Sequence, residues 1–177
     1  AYALGAQGRF DEASSEVATL QSLGSRAAVP AAIVHVLGSL LSAHQGRDED
    51  ATGHLAVARG LAMQLGDRGA EADVDLFAAL FAVERGDYAR ARAVARRAER
   101  AGVQAPVEIM RARRSALAQL LAGIADARAG DLDAARERLA ILRRLDVNSD
   151  PFQQSWQRGL SGEIALASGD LDAAEQA

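Results

Sequence analysis

Five short segments of this chain share one pattern, and their spacing constrains the fold more than any other feature. Segments 7–13, 45–51, 85–91, 129–135 and 168–174 each carry a glycine (Gly8, Gly46, Gly86, Gly130, Gly169) followed by a polar residue. Five positions after each glycine stands an alanine: Ala13, Ala51, Ala91, Ala135 and Ala174. The glycines are 38, 40, 44 and 39 residues apart, and seven positions before the last four lies a small residue, Ser39, Ala79, Gly123 or Gly162. A period of this size marks a repeated supersecondary unit that buries its apolar face only against its neighbours.

The pattern has a direct physical reading as a tight helical hairpin. Glycine just past a helix end takes the left-handed cap conformation without a Cβ penalty, and Asp87, Asp131 and Asp170 can accept the free amides that open the next helix. Small residues before the turn and alanine after it then let the two helices approach closely. Reading outward predicts helices at about 10–23, 31–45, 48–65, 70–85, 88–101, 106–129, 132–145, 151–168 and from 171 onward, with no competing strand pattern. Pro30, Pro106 and Pro151 fall where a first helix should start, and Asp150-Pro151 reads as a cap followed by a first-turn proline. The expected organisation is one array over 1–177, with units at 1–28 (partial), 29–67, 68–104, 105–148 and 149–177 (partial).

Composition removes several chemistries. All 20 basic residues are Arg, so no lysine amine is available for a Schiff base or a phosphate loop. Cysteine is absent, which excludes disulfides, thiolate metal sites and thiol nucleophiles. No run reaches the roughly 18 apolar residues of a membrane span; the most apolar stretch, Val29 to Ala43, is interrupted by Pro30, His35 and Ser39. A formal charge of −4 gives no reason to expect nucleic acid. Alanine supplies 41 of 177 residues, and Arg-only, Cys-free usage fits a GC-rich bacterial coding bias better than it fits any compartment; the cytoplasm is the expected location, but nothing in the composition assigns it.

Candidate chemical motifs each have a plainer structural reading. His35 and His44 lie nine residues apart, about 180° on a helix wheel, and cannot share a metal, so neither metal nor cofactor is expected. The segment Gly159-Leu160-Ser161-Gly162 faintly resembles a nucleophile elbow but sits inside a predicted helix, and Gly66-Asp67-Arg68-Gly69 lacks the strand context of a dinucleotide loop and reads as a turn. Residues 85–114 hold nine arginines against Asp87, Glu99 and Glu108. There Arg92, Arg96, Arg97 and Arg100 fall opposite an Ala/Val stripe, the pattern of a solvated face; an anionic partner is the alternative. Trp156 shares a stripe with Phe152, Leu160 and Ile164, which reads as core before it reads as a binding anchor.

A small residue in the first helix, a Gly-Asp turn and an alanine in the second helix resemble the tetratricopeptide repeat family over the whole chain. The longer spacing is similar to arrays attached to bacterial transcription activators and Ser/Thr kinases. The chain departs from the family in its unit length, in its displaced prolines, and in His35, Asp75, Gln119 and Arg158 where the family has a bulky aromatic. The resemblance implies an all-α, right-handed superhelix of helical hairpins whose first helices line a concave surface. Carried over unit by unit, that surface comprises Ile33, Val36, Leu40 and His44; Asp73, Leu76, Leu80, Val83 and Glu84; Leu117, Leu120, Ile124 and Arg128; and Trp156, Glu163 and Leu166. Such a face implies a non-enzymatic scaffold that binds a protein or peptide segment. The family's carboxylate clamp needs Lys and Asn, and this chain has no Lys and a single Asn, Asn148. The alternative is a ligand- or peptide-sensing regulatory domain attached to a transcription-regulator or kinase effector; a region of an enzyme whose catalytic domain lies elsewhere is a third. Both ends lack polar caps, so further repeats or domains are expected on either side.

Overall fold

The turns come first, because they set where every helix begins. In the computed structural model, which describes residues 7–24, 28–104, 108–145 and 151–177, all five turn glycines have φ between 69° and 83°. At Gly86 the ending helix closes with Gly86 N–H donating to Val83 C=O at 3.0 Å and Asp87 N–H to Ala82 C=O at 2.9 Å. This double bond satisfies carbonyls that the helix leaves open. The Asp87, Asp131 and Asp170 side chains then accept from the backbone N–H groups of Arg90, Ala134 and Ala173 at 3.0–3.2 Å. Asp67, after Gly66 with φ 65°, does the same for Ala70 at 3.0 Å, so Gly66 to Gly69 is a turn.

Between these turns lie nine α-helices among the described residues, and no strand: α1 (Phe10–Gly24), α2 (Ala28–His44), α3 (Asp48–Leu65), α4 (Arg68–Glu84), α5 (Tyr88–Gly102), α6 (Glu108–Arg128), α7 (Leu132–Arg144), α8 (Pro151–Ser168) and α9 (Leu171–Gln176). Pro30 is the third residue of α2, where its missing N–H costs no helical bond. Pro106, Asn148 and Asp150 lie outside the described residues. No helix is long and apolar enough to cross a membrane among the described residues.

The helices form two layers. Successive even-numbered helices touch one another (α2 with α4, α4 with α6, α6 with α8), whereas each odd-numbered helix touches only the even ones flanking it in the chain. The core is correspondingly divided into small clusters. Leu76, Ala79, Val94, Ala98 and Leu121 join α4, α5 and α6, while Leu120, Leu139, Leu142, Leu160 and Ile164 join α6, α7 and α8. The repeated alanines Ala13, Ala51, Ala91 and Ala135 are fully buried at the hairpin crossings. The small position before the turn has two uses. At Gly162 an added Cβ would sit 3.3 Å from Ala177, within the hairpin, but at Gly123 it would meet Leu160 of α8 at 2.7 Å and Arg138 of α7 at 3.1 Å. At Gly123 the missing Cβ therefore makes room for the Leu160 side chain of α8.

Candidate functional site

The even layer opens into a groove between α2 and α4. Its cavity, about 400 Å³, is lined by Ile33, Val36, Leu37 and Leu40 of α2, by Val74 and Phe77 of α4, and by Leu65 at the end of α3. Ile33 is 58% exposed and Leu65 44%, so the margin of the groove presents apolar surface. One wall is polar and closed on itself. Arg114 of α6 reaches across to Asp73 of α4 with two bonds of 2.7 Å, Nε to Oδ1 and Nη2 to Oδ2. Gly69 and Gly102 make room for it, since a Cβ at either would lie 3.1 Å from the Arg114 side chain. The Asp73 hydrogen bonds hold the Arg114 guanidinium more basic than usual against the opposing effect of its burial.

The candidates separate into three sets. Ile33, Val36 and Leu40 share the groove. Glu84, Arg128 and Glu163 meet at the far end of the layer, where Arg128 makes a two-bond pair with Glu163 at 2.6 and 3.0 Å and lies 3.9 Å from Glu84. That ladder links α4, α6 and α8. The third set corrects the expected surface: Leu76, Val83 and Leu120 are buried in the clusters that join neighbouring helices and present nothing to a partner. Leu80, Leu117, Ile124 and Trp156 are half-buried and pack against the same clusters, Trp156 beside Leu160 and Ile164. Of the further residues on that expected face, His44 and Leu166 are exposed, and the His44 Nδ1 lies 2.8 Å from the Leu40 carbonyl of its own helix.

Sequence reasoning missed Phe77 and Leu37. Both stand nine residues before a turn glycine, whereas the stripe was drawn through the position ten before, Val36 and Leu76. On α4 that one residue, a 100° rotation, separates groove-lining Phe77 from Leu76 in the core, whereas on α2 both Val36 and Leu37 line the groove.

The arginine-rich stretch also needs correction. Arg96 and Arg100 are exposed, but Arg92 and Arg97 turn inward to buried carboxylates. Arg97 of α5 makes two 2.6 Å bonds to Asp75 of α4, which is 1% exposed, and Arg59 of α3 approaches the same carboxylate at 3.3 Å. Asp126 of α6 is held in the same way, by Arg92 of α5 at 3.1 Å and Arg138 of α7 at 3.6 Å. Each carboxylate thus ties two odd helices that do not otherwise touch. The wheel pattern could not show this, because long arginine stems carry the charge well away from their own Cα.

Among the described residues no three His, Cys, Asp or Glu side chains gather in a way that could hold a metal. No family model matches the chain, and no curated protein or solved structure matches it either.

Proposed function

We propose that this chain is a non-enzymatic, tetratricopeptide-like array, coiled as a right-handed superhelix, that binds a protein partner through the even-helix groove. The occupant is the apolar face of an amphipathic helix. The observation that carries this is the apolar cavity between α2 and α4, with exposed Ile33 and Leu65 at its margin. Its lining is aliphatic and aromatic, and its one strong charge pair, Arg114 with Asp73, is already satisfied, so binding there rests on apolar burial. A partner helix presenting side chains at i, i+3 and i+4 matches a cavity built from residues spaced three and four apart on α2.

The test uses the full chain and a library of displayed amphipathic helical peptides, from which binders are selected and their affinities measured. Ile33→Asp and Leu65→Glu are at exposed positions and are expected to leave helix content, read by circular dichroism, unchanged. Each is expected to weaken the selected peptides by about tenfold or more, the effect of placing a charge in an apolar contact. Peptides that keep full affinity for both variants would place the contact elsewhere and overturn the groove assignment.

A further inference from the structure

The two ends of the hairpins differ in how their charge is used. At the turn-glycine end the arginines are spent on carboxylates: Arg47 on Asp50, Arg85 on Asp48, Arg128 on Glu163 and Arg136 on Asp133. The opposite end, where an odd helix gives way to the next even one, is built otherwise. There Arg114, near the start of α6, lies against Gly69 at the start of α4 and Gly102 at the end of α5, so these three helix ends share one side of the array. Arg100 in the last turn of α5 and Arg143 and Arg144 in the last turn of α7 are exposed on that side, with Arg96 one turn earlier. None of the four has an ion-pair partner among the described residues. Carboxylates do not balance them. Glu71 and Asp73 pair with Arg68 and Arg114, Asp67 caps α4 and Glu99 accepts from Gln119, which leaves Glu108. Asp146 and Asp150 lie outside the described residues. Aliphatic side chains stand at the same end: Val103 is 55% exposed and Ile109 60%. The helix dipole accounts for arginine in a last turn, but not for exposed Val and Ile beside it.

We propose that this end of the array docks on the surface of an anionic lipid bilayer. Unpaired arginines meet the negative headgroups, and Val103 and Ile109 enter the boundary between headgroups and acyl chains. Extent decides against a small anion. Arg96 and Arg100 lie on α5 and Arg143 and Arg144 on α7, two helices that do not touch, so one compact ion does not bridge both sets whereas a continuous negative surface meets them together. The form of the apolar part decides against a partner helix. Val103 and Ile109 line no part of the apolar groove and project singly, which offers a protein side chain no pocket but lets each insert between lipids. Docked in this way, the array holds the carboxylates of its turn-glycine end, Glu49 and Asp133 among them, away from the like charge of the bilayer. The contact is peripheral, and the groove is not part of it: neither the four arginines nor the two aliphatic side chains line that cavity.

The experiment is co-sedimentation of the full chain with two kinds of vesicle, phosphatidylcholine alone and phosphatidylcholine with about three parts in ten of phosphatidylserine, in about 0.1 M salt. Binding is expected to the mixed vesicles and not to the neutral ones, and it should fall away in about 0.5 M salt. Arg100→Gln and Arg144→Gln, both at exposed positions, should each weaken it about fivefold, the share of one arginine beside an anionic surface. Ile109→Ser should weaken it about threefold or more. Glu49→Gln, exposed at the other end, should not weaken it, and circular dichroism should show the same helix content in all four variants. No excess on the mixed vesicles, or an excess that the arginine variants leave intact, would overturn the proposal. Capture of poly-glutamate or of a single-stranded oligonucleotide, lost in the arginine variants while the vesicles stay bare, would assign this end to an acidic protein segment or to nucleic acid and would overturn it too. Either failure leaves the groove reading standing, because Arg100, Arg144 and Ile109 take no part in the groove.

Discussion

Gly60 and Gly123 both stand in helix interiors, where glycine costs about 0.5–1 kcal/mol relative to alanine, yet only one of them has a reason to be there. An added Cβ at Gly60 meets nothing within 4 Å, whereas at Gly123 it would lie 2.7 Å from Cδ2 of Leu160, a fully buried side chain with no free direction to move. The two substitutions should therefore have opposite signs. Gly60→Ala is expected to stabilise the chain by about 0.5–1 kcal/mol, and Gly123→Ala to destabilise it by about 1–3 kcal/mol through overpacking of α6 against α8. Urea unfolding midpoints of the two variants decide it; a gain at Gly123 would mean that α8 sits farther from α6. Small size at position 123 was legible in the sequence from its place seven residues before Gly130. Its partner was not, because Leu160 is 37 residues away and no local pattern carries that distance.

At the scale of the element, one position shows how much of the hairpin the sequence encodes and how much it leaves to packing. His35, Asp75 and Gln119 each stand eleven residues before a turn glycine, and each is a polar side chain on an otherwise largely apolar helix face. In the structure each bonds to an odd helix: Asp75 to Arg97, Gln119 to Glu99 and Arg138, and His35 to His54, with the two Nδ1 atoms 3.1 Å apart. The position was visible from the repeat; the partners, 19 to 22 residues onward or back along the chain, were not. The histidine pair makes the α2–α3 hairpin sensitive to pH. One Nδ1 donates its proton and the other accepts, so the contact needs one protonated and one unprotonated Nδ1 and is lost when both carry protons. Burial, and then the nearby His54, hold the His35 pKa below its ordinary 6.5. The unfolded chain then binds the proton more readily than the folded one, and stability falls as pH drops below about 6.5, levelling off once His35 itself is protonated in the folded state. Thermal unfolding followed at pH 7.5 and pH 5 should show a larger drop for the unmodified chain than for His35→Gln. Equal drops would mean that the pair contributes nothing to the hairpin.

For the whole molecule, the decisive fact is that among the described residues no helix touches another more than two places away in the chain, and that their buried core falls into five clusters, some bridged by half-buried Ala78, Leu117 and Ile124. The period of the turn glycines had already implied such a stack, since a unit that recurs every 38 to 44 residues meets the same neighbours each time. What the period could not show is where the stack departs from its own repetition. The groove opens where α2 and α4 present Ile33, Val36, Leu40 and Phe77, whereas Leu117, Leu120 and Ile124 of α6 pack in the cluster they share with Leu160, Ile164 and Trp156 of α8. Energies in such a stack are local: each unit is held by its own crossing and by one interface on either side. Leu142, fully buried between α6, α7 and α8, is the sharpest place to test this. Its replacement by alanine should cost about 2–5 kcal/mol, the usual range for a buried leucine. Because α1, α2 and α3 share no contact with α7, amide hydrogen exchange should accelerate across α6 to α8 and stay unchanged in α1 to α3. Uniform acceleration over all nine helices would instead show that the units unfold as one, and that the ion pairs of Asp75 and Asp126, which bridge successive odd helices, bind the stack into a single cooperative body.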